Sequence, residues 1–328
     1  MSRMTSFMPS VLKSALALTK DAASLYGELL KAMVPVMIAV RIGIEFGLID
    51  QLAVVFEPVM ALVGLPASAG IVFATGMLVN NYGAGAALVG ILPFTELTVA
   101  QVTVLLSMVL IAHALPVEQT ISRKAGISFV FSSLLRFLGA LLYGLILNAV
   151  YSWGDWLQTP VSIAWLPGDN GADTGWMDWA TNSAVSLFWL FWVILGLVIL
   201  LKIFEALKIT DLLARLLSPV LGLMGISKSA TPITMVGVLL GLAYGGGLII
   251  KEARAGTLSP RDIVLSLCFM ALCHSLIEDT LFMIALGGDV TGVLIGRFIF
   301  AVVVMIGLSR LILALPDPHF HKFLYRPA

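Results

Sequence analysis

The chain has 328 residues, with 19 basic and 19 acidic side chains and a net charge of zero. It is 59% hydrophobic and only 12% charged, with mean hydropathy +1.03, whereas a soluble domain carries roughly 25% charged residues. This composition excludes a soluble globular protein and predicts an all-α integral membrane protein; the zero net charge gives no basis for nucleic-acid binding.

Met1–Lys31 lacks the apolar core and small-residue cleavage site of a signal peptide. Val11–Leu30, with Lys13, Lys20 and the following Lys31, reads instead as an amphipathic helix on the inner membrane surface. Five hydrophobic segments follow: Leu29–Ile49, Gln51–Leu65, Ser68–Leu92, Val99–Gln119 and Ile127–Tyr151. Ser152–Asn182 is a polar link holding Trp153, Trp156, Trp165, Trp176 and Trp179, with Asp155, Asp169, Asp173 and Asp178 and no Lys or Arg. Tryptophan favours the headgroup layer, so the link is expected on the outer membrane surface; a lid over a substrate entrance is the sharper alternative. Five more segments complete the chain: Ala184–Leu207, Leu212–Ile226, Thr231–Ile250, Pro260–Thr280 and Gly292–Leu315. Ala184–Leu201 and Val293–Leu308 alone approach the length of about 20 residues that a helix needs to span lipid. Gln51–Leu65 and Leu212–Ile226 fall short and are read as tilted helices or halves of re-entrant hairpins.

The two sets of five are copies. Arg41/Lys202, Asp50/Asp211, Pro58/Pro219, Gly64/Gly225, Ser68/Ser229, Gly76/Gly237, His113/His274, Glu118/Asp279 and Arg136/Arg297 all stand 161 residues apart. Matches of His on His and acid on acid are not produced by shared hydrophobicity. The expected organisation is an N-terminal segment 1–28, a repeat at 29–151, the link 152–182, a repeat at 183–315 and a tail 316–328. Lys and Arg collect in cytoplasmic loops. Arg123 and Lys124 follow the fourth segment of the first half, whereas Lys251, Arg254 and Arg261 precede the fourth segment of the second. Equivalent loops therefore face opposite sides, and five crossings per half predict inverted repeats with both termini in the cytoplasm of a bacterial inner membrane. Lys228 dissents, because that topology puts it outside.

Two elements recur that plain lipid-facing helix does not need. The first is a glycine-rich break, Asn80-Asn81-Tyr82-Gly83-Ala84-Gly85 and Ala243-Tyr244-Gly245-Gly246-Gly247. Glycine costs roughly 1 kcal/mol against alanine in a helix, so an unwound stretch lining a binding cavity is expected; close helix packing is the alternative. The second ends each fourth segment: His113-Ala114-Leu115-Pro116-Val117-Glu118-Gln119-Thr120 and His274-Ser275-Leu276-Ile277-Glu278-Asp279-Thr280. Pro116 is expected to break its helix. Buried ionisable groups are costly in lipid and mark cavities or partners. The candidate substrate-binding residues are Asn80, Asn81, Tyr82, Gly83, Gln119, Thr120, Tyr244, Gly245, Gly246 and Thr280. The candidate ion-coupling residues are His113, His274, Glu118, Glu278 and Asp279. Arg136 and Arg297 are expected to pair with Glu118 and Asp279, and Arg41 and Lys202 with Glu45 and Glu205 on their own helices. His-x4-Glu puts the pair roughly 140° apart on a continuous helix, so no metal site is expected. Cys268 and Cys273 share one apolar span, which gives no disulfide framework. No nucleophile elbow, phosphate loop or catalytic triad is present, so no enzyme activity and no cofactor are expected.

The repeated unit, with its Tyr-Gly-x-Gly and Tyr-Gly-Gly-Gly breaks and His-x-Leu-x-x-acid helix ends, resembles the nucleoside-recognition or Gate domain family. That domain occurs in concentrative nucleoside transporters, in the membrane part of bacterial ferrous-iron transporter B and in spore maturation proteins A and B. The resemblance covers roughly residues 29–315 as two fused domains. It implies that Asn80, Asn81, Glu118, Gln119, Glu278 and Asp279 line a solute site between hairpin tips and broken helices, with elevator-like movement. By analogy with the iron transporter the same cavity passes a cation, although that transporter's GTPase domain is not found here. The expectation is a secondary transporter of a small polar solute, nucleoside-like or a related metabolite, coupled to Na⁺ or H⁺. A divalent-cation permease and a non-transporting assembly factor are the alternatives. Expected partners are the solute, the lipid bilayer and further copies of the chain in a homo-oligomer, dimer or trimer.

Overall fold

The computed structural model describes residues 2–166 and 175–326, so Asp169 and Asp173 lie outside the described residues. The described residues are helical, joined by short turns. The first half comprises α1 (Ser2–Glu45), α2 (Leu48–Leu62), α3 (Ala69–Leu78), α4 (Asn81–Ile91), α5 (Val99–Ala112), α6 (Leu115–Lys124) and α7 (Phe129–Trp153). The second comprises α8 (Trp176–Ala206), α9 (Ile209–Leu223), α10 (Thr231–Leu240), α11 (Leu242–Ala255), α12 (Pro260–Leu272), α13 (Glu278–Ala285), a π-helical turn (Thr291–Gly296) running into α14 (Arg297–Ala314), and α15 (Asp317–Phe323). The spacing of 161 recurs in the backbone. The left-handed residues Gly47 and Lys208, Gly64 and Gly225, Ala114 and Ser275, and Gly126 and Gly287 form pairs at that spacing. Four stretches among the described residues are long and apolar enough to cross a membrane: Val99–Lys124, Phe129–Trp153, Trp176–Ala206 and Thr291–Ala314.

Residues Val102–Ala112 of α5 and Ile263–Leu272 of α12 are buried on every face. A helix apolar all round belongs inside a bundle, and these two form its centre. Outside them, α7, α8 and α14 turn Leu138, Leu142, Phe188, Trp192, Ile299 and Val303 outward, as lipid-facing helices do. The N-terminal segment is not a separate surface helix. It is continuous with the first span in the 44-residue α1. Ala22 and Leu29 are buried, and Tyr26 Oη donates to Leu187 O of α8 at 2.8 Å.

The third segment of each half, expected as one crossing, is a helical hairpin. Gly76 of α3 faces Ala84 of α4, and a Cβ on Gly83 would lie 3.3 Å from Thr75 Cγ2 and from Val79. In the second half, a Cβ on Gly245 of α11 would overlap the Gly237 backbone of α10. Each hairpin enters and leaves at one end of the bundle. Gln101 Nε2 donates to Gly64 O at 3.1 Å, and the hydroxyls of Ser68 and Thr95 lie 3.1 Å apart, so the loops before α3 and after α4 are neighbours. Ser227 N donates to Asp262 Oδ1 at 2.9 Å, which does the same for α10–α11.

The second segments do not cross. The end of α1 sits beside Pro93 and Phe94 of the α4–α5 loop, and the end of α2 lies at Gly64 on that same face. Fifteen residues reach only about 22 Å, so α2 runs along one face of the bundle, and α9 matches it on the other. Each half therefore passes from one end of the bundle to the other by three elements: α1, α5–α6 and α7, then α8, α12–α13 and the π turn with α14.

Contacts between loops place equivalent segments at opposite ends. Val161 N donates to Leu97 O, and Trp165 Nε1 to Ala285 O at 2.8 Å, which gathers residues 92–98, the first part of the link (154–166) and residues 286–290 at one end. Ser128 N donates to Leu324 O, Arg326 N to Gly126 O, and Arg261 Nη2 to Leu315 O, which gathers residues 125–128, 256–262 and the tail at the other. The two repeats are inverted, as the loop charges predict, by three passes through the bundle rather than five. The correction also removes the dissent of Lys228, which now joins Arg123, Lys124, Lys251, Arg254, Arg261, Lys322 and Arg326 at one basic end. The loops of the other end carry Glu96, Asp155 and Asp289 and no Lys or Arg among the described residues.

Candidate functional site

The site is built where the broken helices meet the hairpins. In α5–α6 the break falls at Ala114 (φ 48°), two residues before Pro116, which sits in the first turn of α6. Proline is tolerated there because that N–H has no helical partner. Ala114 N donates instead to Gly76 O of α3, and Leu276 N at the matching break donates to Val238 O of α10, both at 2.9 Å. Each break is thus braced on its own hairpin.

The left-handed turn at Ala114 swings α6 out of line with α5. It overturns the expectation that His113 and Glu118 cannot meet: His113 Nε2 lies 3.3 Å from Glu118 Oε1. His274 Nε2 is also 3.3 Å from Glu118 Oε1 and 3.1 Å from His113 Nε2. Asp279 Oδ2 stands 3.8 Å from His113 Nε2. Both histidines are buried, and their Nδ1 atoms face the carbonyls four residues back, Val109 O at 3.2 Å and Met270 O at 2.7 Å.

The arginines differ. Arg136 is fully buried and engaged through all three nitrogens: Nη1 binds Glu118 Oε2, Nε donates to Ile111 O at 2.6 Å, and Nη2 to His113 O at 2.8 Å. Those two carbonyls are freed by the helix break, so one side chain caps it and neutralises its acid. Arg297, equally buried, reaches Thr280 Oγ1 at 2.9 Å rather than Asp279, and its Nε and Nη1 have no hydrogen-bond partner. On α1, Arg41 lies 3.4 Å from Glu45 and stacks on Trp176; on α8, Lys202 lies 3.2 Å from Glu205, both as expected.

The glycine-rich element is displaced from its expected role. The chain unwinds at Val79–Asn80 and at Gly241, before the glycines, and Gly83, Gly245 and Gly246 are helical packing positions. Gly246 receives Ile121 of α6, whose Cγ2 would be 2.6 Å from an added Cβ. Asn80 is extended and caps α4, accepting from Gly83 N at 2.8 Å. Asn81 Oδ1 and both polar atoms of Gln119 are buried without a partner, a state that asks for water or a solute. Tyr82 carries the tip of the first hairpin into the second repeat: its hydroxyl donates to Glu278 Oε1 at 3.2 Å, and its ring meets Phe282 edge-on at 4.9 Å. Thr120 does not join the site; it is exposed and bonds Pro116 O. Thr280 is engaged by Arg297. The Tyr244 side chain lies outside the described residues.

A cavity of about 1230 Å³ opens between α1, α8, α9, α10 and the start of α13. Its depth holds Ile277 and Glu278; its rim holds Lys202, Asp211 and Arg215. It opens at the basic end, away from the described part of the tryptophan-bearing link. The rim residues of α9 were missed from sequence. Asp211, Arg215 and Ser218 recur at helical spacing, which marks one polar face, while Leu212, Leu216 and Leu223 point outward.

Residues 187–289 match the family model for Gate, nucleoside recognition. The second repeat is therefore similar to a Gate domain. The match begins in α8 and ends just before the π turn, so it covers the repeat that holds the cavity. Over 284 residues the chain is 28% identical to the uncharacterized membrane protein YvoD of Bacillus subtilis (strain 168), covering 85% of this chain and 89% of that protein. No solved structure matches. The Gate domain thus places Glu278, Asp279 and His274 within its matched stretch, and the internal repeat supplies Glu118 and His113 from outside it.

Proposed function

We propose that this membrane protein is a secondary transporter of a small polar solute, nucleoside-like or a related metabolite, driven by Na⁺ or H⁺. The observation that carries the reading is a break in symmetry. In the first repeat α1 is packed on α4: an added Cβ on Gly90 would stand 2.9 Å from Val40 Cγ1. In the second, Leu201, the counterpart of Val40, lines the open cavity. Inverted repeats caught in unlike states are what alternating access around a central site requires. Elevator-like movement of the hairpins and broken helices against α1 and α8 would exchange the two states. Basic loops favour the cytoplasmic side, which makes the structure inward-open with both described ends of the chain cytoplasmic.

Glu278, at the floor of the cavity and held by Tyr82, is the group that an entering solute or coupling cation meets. The polar rim and apolar walls suit a solute with both hydrogen-bonding edges and a ring or alkyl body. The test is uptake into proteoliposomes of labelled nucleosides, nucleobases, amino acids and carboxylates under Na⁺ or proton gradients. One class is expected to accumulate in a gradient-dependent way, and Glu278→Gln to lose that uptake while folding normally. Full uptake by Glu278→Gln would overturn the assignment.

A further inference from the structure

We propose that His113, His274 and Glu118, completed by Asp279, hold one divalent first-row transition-metal ion at the junction of the two repeats. The convergence of ligand atoms points to it first. Both Nδ1 atoms lie against backbone carbonyls. A carbonyl oxygen only accepts, so each Nδ1 donates, and the Nε2 of a neutral ring is then free to present its lone pair to a metal. The two Nε2 atoms face each other at 3.1 Å, with Glu118 Oε1 at 3.3 Å from both. Three potential ligand atoms thus converge on one point, an arrangement that a cation stabilises.

The dimensions agree. Metal bonds of about 2.0–2.1 Å in tetrahedral geometry separate neighbouring ligand atoms by about 3.3 Å. The three edges of the cluster are 3.1, 3.3 and 3.3 Å. Asp279, the image of Glu118 at the 161 spacing, lies on the remaining side, 3.8 Å from His113 Nε2. The ligands are also fixed from behind as metal ligands are. Arg136 occupies the other oxygen of Glu118, and the two carbonyls orient the imidazoles. The charge balance has room for a cation, because Glu118 pairs with Arg136 while Asp279 has no Lys or Arg ion pair among the described residues. Imidazole and carboxylate without thiolate select Zn²⁺, Fe²⁺ or Mn²⁺ over softer or purely oxygen-seeking ions. The rival occupant is a single proton shared by the two Nε2 atoms. The metal site stands whether or not the chain carries an organic solute.

The test is metal analysis of the full-length protein, purified in detergent without chelator. About one ion per chain is expected, with X-ray absorption showing nitrogen and oxygen ligands at about 2.0–2.1 Å and no sulfur at about 2.3 Å. His113→Gln and His274→Gln should each lose the ion, Asp279→Asn should weaken its binding by about 10–100-fold, and Glu278→Gln should keep it. Chelated wild-type protein should melt at a higher temperature when Zn²⁺ or Mn²⁺ is returned. Should a histidine variant fail to fold, Asp279→Asn and the metal-dependent melting shift of the wild type decide the matter. Folded protein without stoichiometric metal, whose melting responds to pH and not to Zn²⁺, Fe²⁺ or Mn²⁺, overturns the proposal in favour of the shared proton. A metal retained in both histidine variants overturns it as well.

Discussion

The first and second repeats have the same helices in the same order, yet one is shut and the other is open. In the first, α1 lies along α4, with Val40 seated on Gly90. In the second, α8 stands off α11, and Leu201, Lys202 and Glu205 line a cavity instead. The difference extends to the arginines, since Arg136 satisfies three acceptors where Arg297 satisfies one hydroxyl. It extends to the hairpins too: Ala84 fits in the first where Gly245 meets backbone in the second. Sequence duplication sets the architecture, and small departures from it decide which half can open.

The comparison can be tested most sharply by sidedness. Cysteines at the equivalent exposed positions Glu96 and Thr257 should be labelled from opposite sides of the membrane, all or none, and Lys228→Cys should follow Thr257→Cys. Labelling of Glu96→Cys and Thr257→Cys from one side would dissolve the inverted arrangement. Next comes the cavity. Leu201→Trp should fill it and reduce solute uptake to background without changing the melting temperature, whereas Val54→Trp on the exposed face of α2 should leave uptake intact. The arginines give a graded contrast. Arg136→Ala leaves Glu118 buried without its partner and should cost about 3–5 kcal/mol. Arg297→Ala releases only a hydroxyl and should cost about 1–3 kcal/mol; equal losses in denaturation would remove the distinction. The smallest effect is at the hairpins. Gly245→Ala should destabilise by about 1–3 kcal/mol through overpacking, while Gly247→Ala, with nothing within 4 Å of the added methyl, should be neutral or gain up to about 1 kcal/mol.

Much of this was legible in the sequence. The duplication, the inverted arrangement and the two broken helices follow from the 161 spacing, the loop charges and the motifs around His113 and His274. The hairpins were not, because Ser68–Leu92 is one apolar run whether it crosses once or folds back on itself. Only Asn80, a helix N-cap in mid-run, marks the second start, and the glycines that suggested unwinding serve close backbone approach instead. The meeting of His113 with Glu118 was hidden for a different reason. Ala114 carries no left-handed signal, and periodicity assumes a helix that in fact breaks there. At the equivalent of Asn80, Gly241 at φ 106° did announce its turn, but it stood among so many glycines that its position was not singled out.

The hairpins also bear on how such a chain can change. A crossing helix sets the side of everything after it, so its loss would turn the remainder of the molecule over. A hairpin returns to the end it left, and α3–α4 or α10–α11 can lengthen, shorten or be re-tipped with no later loop changing sides. The part of the chain that reaches the centre of the site is therefore the part whose length is least tied to the bilayer's thickness. Residues such as Tyr82, at the first hairpin's tip, can be remodelled for a new solute while the frame that holds them keeps its orientation.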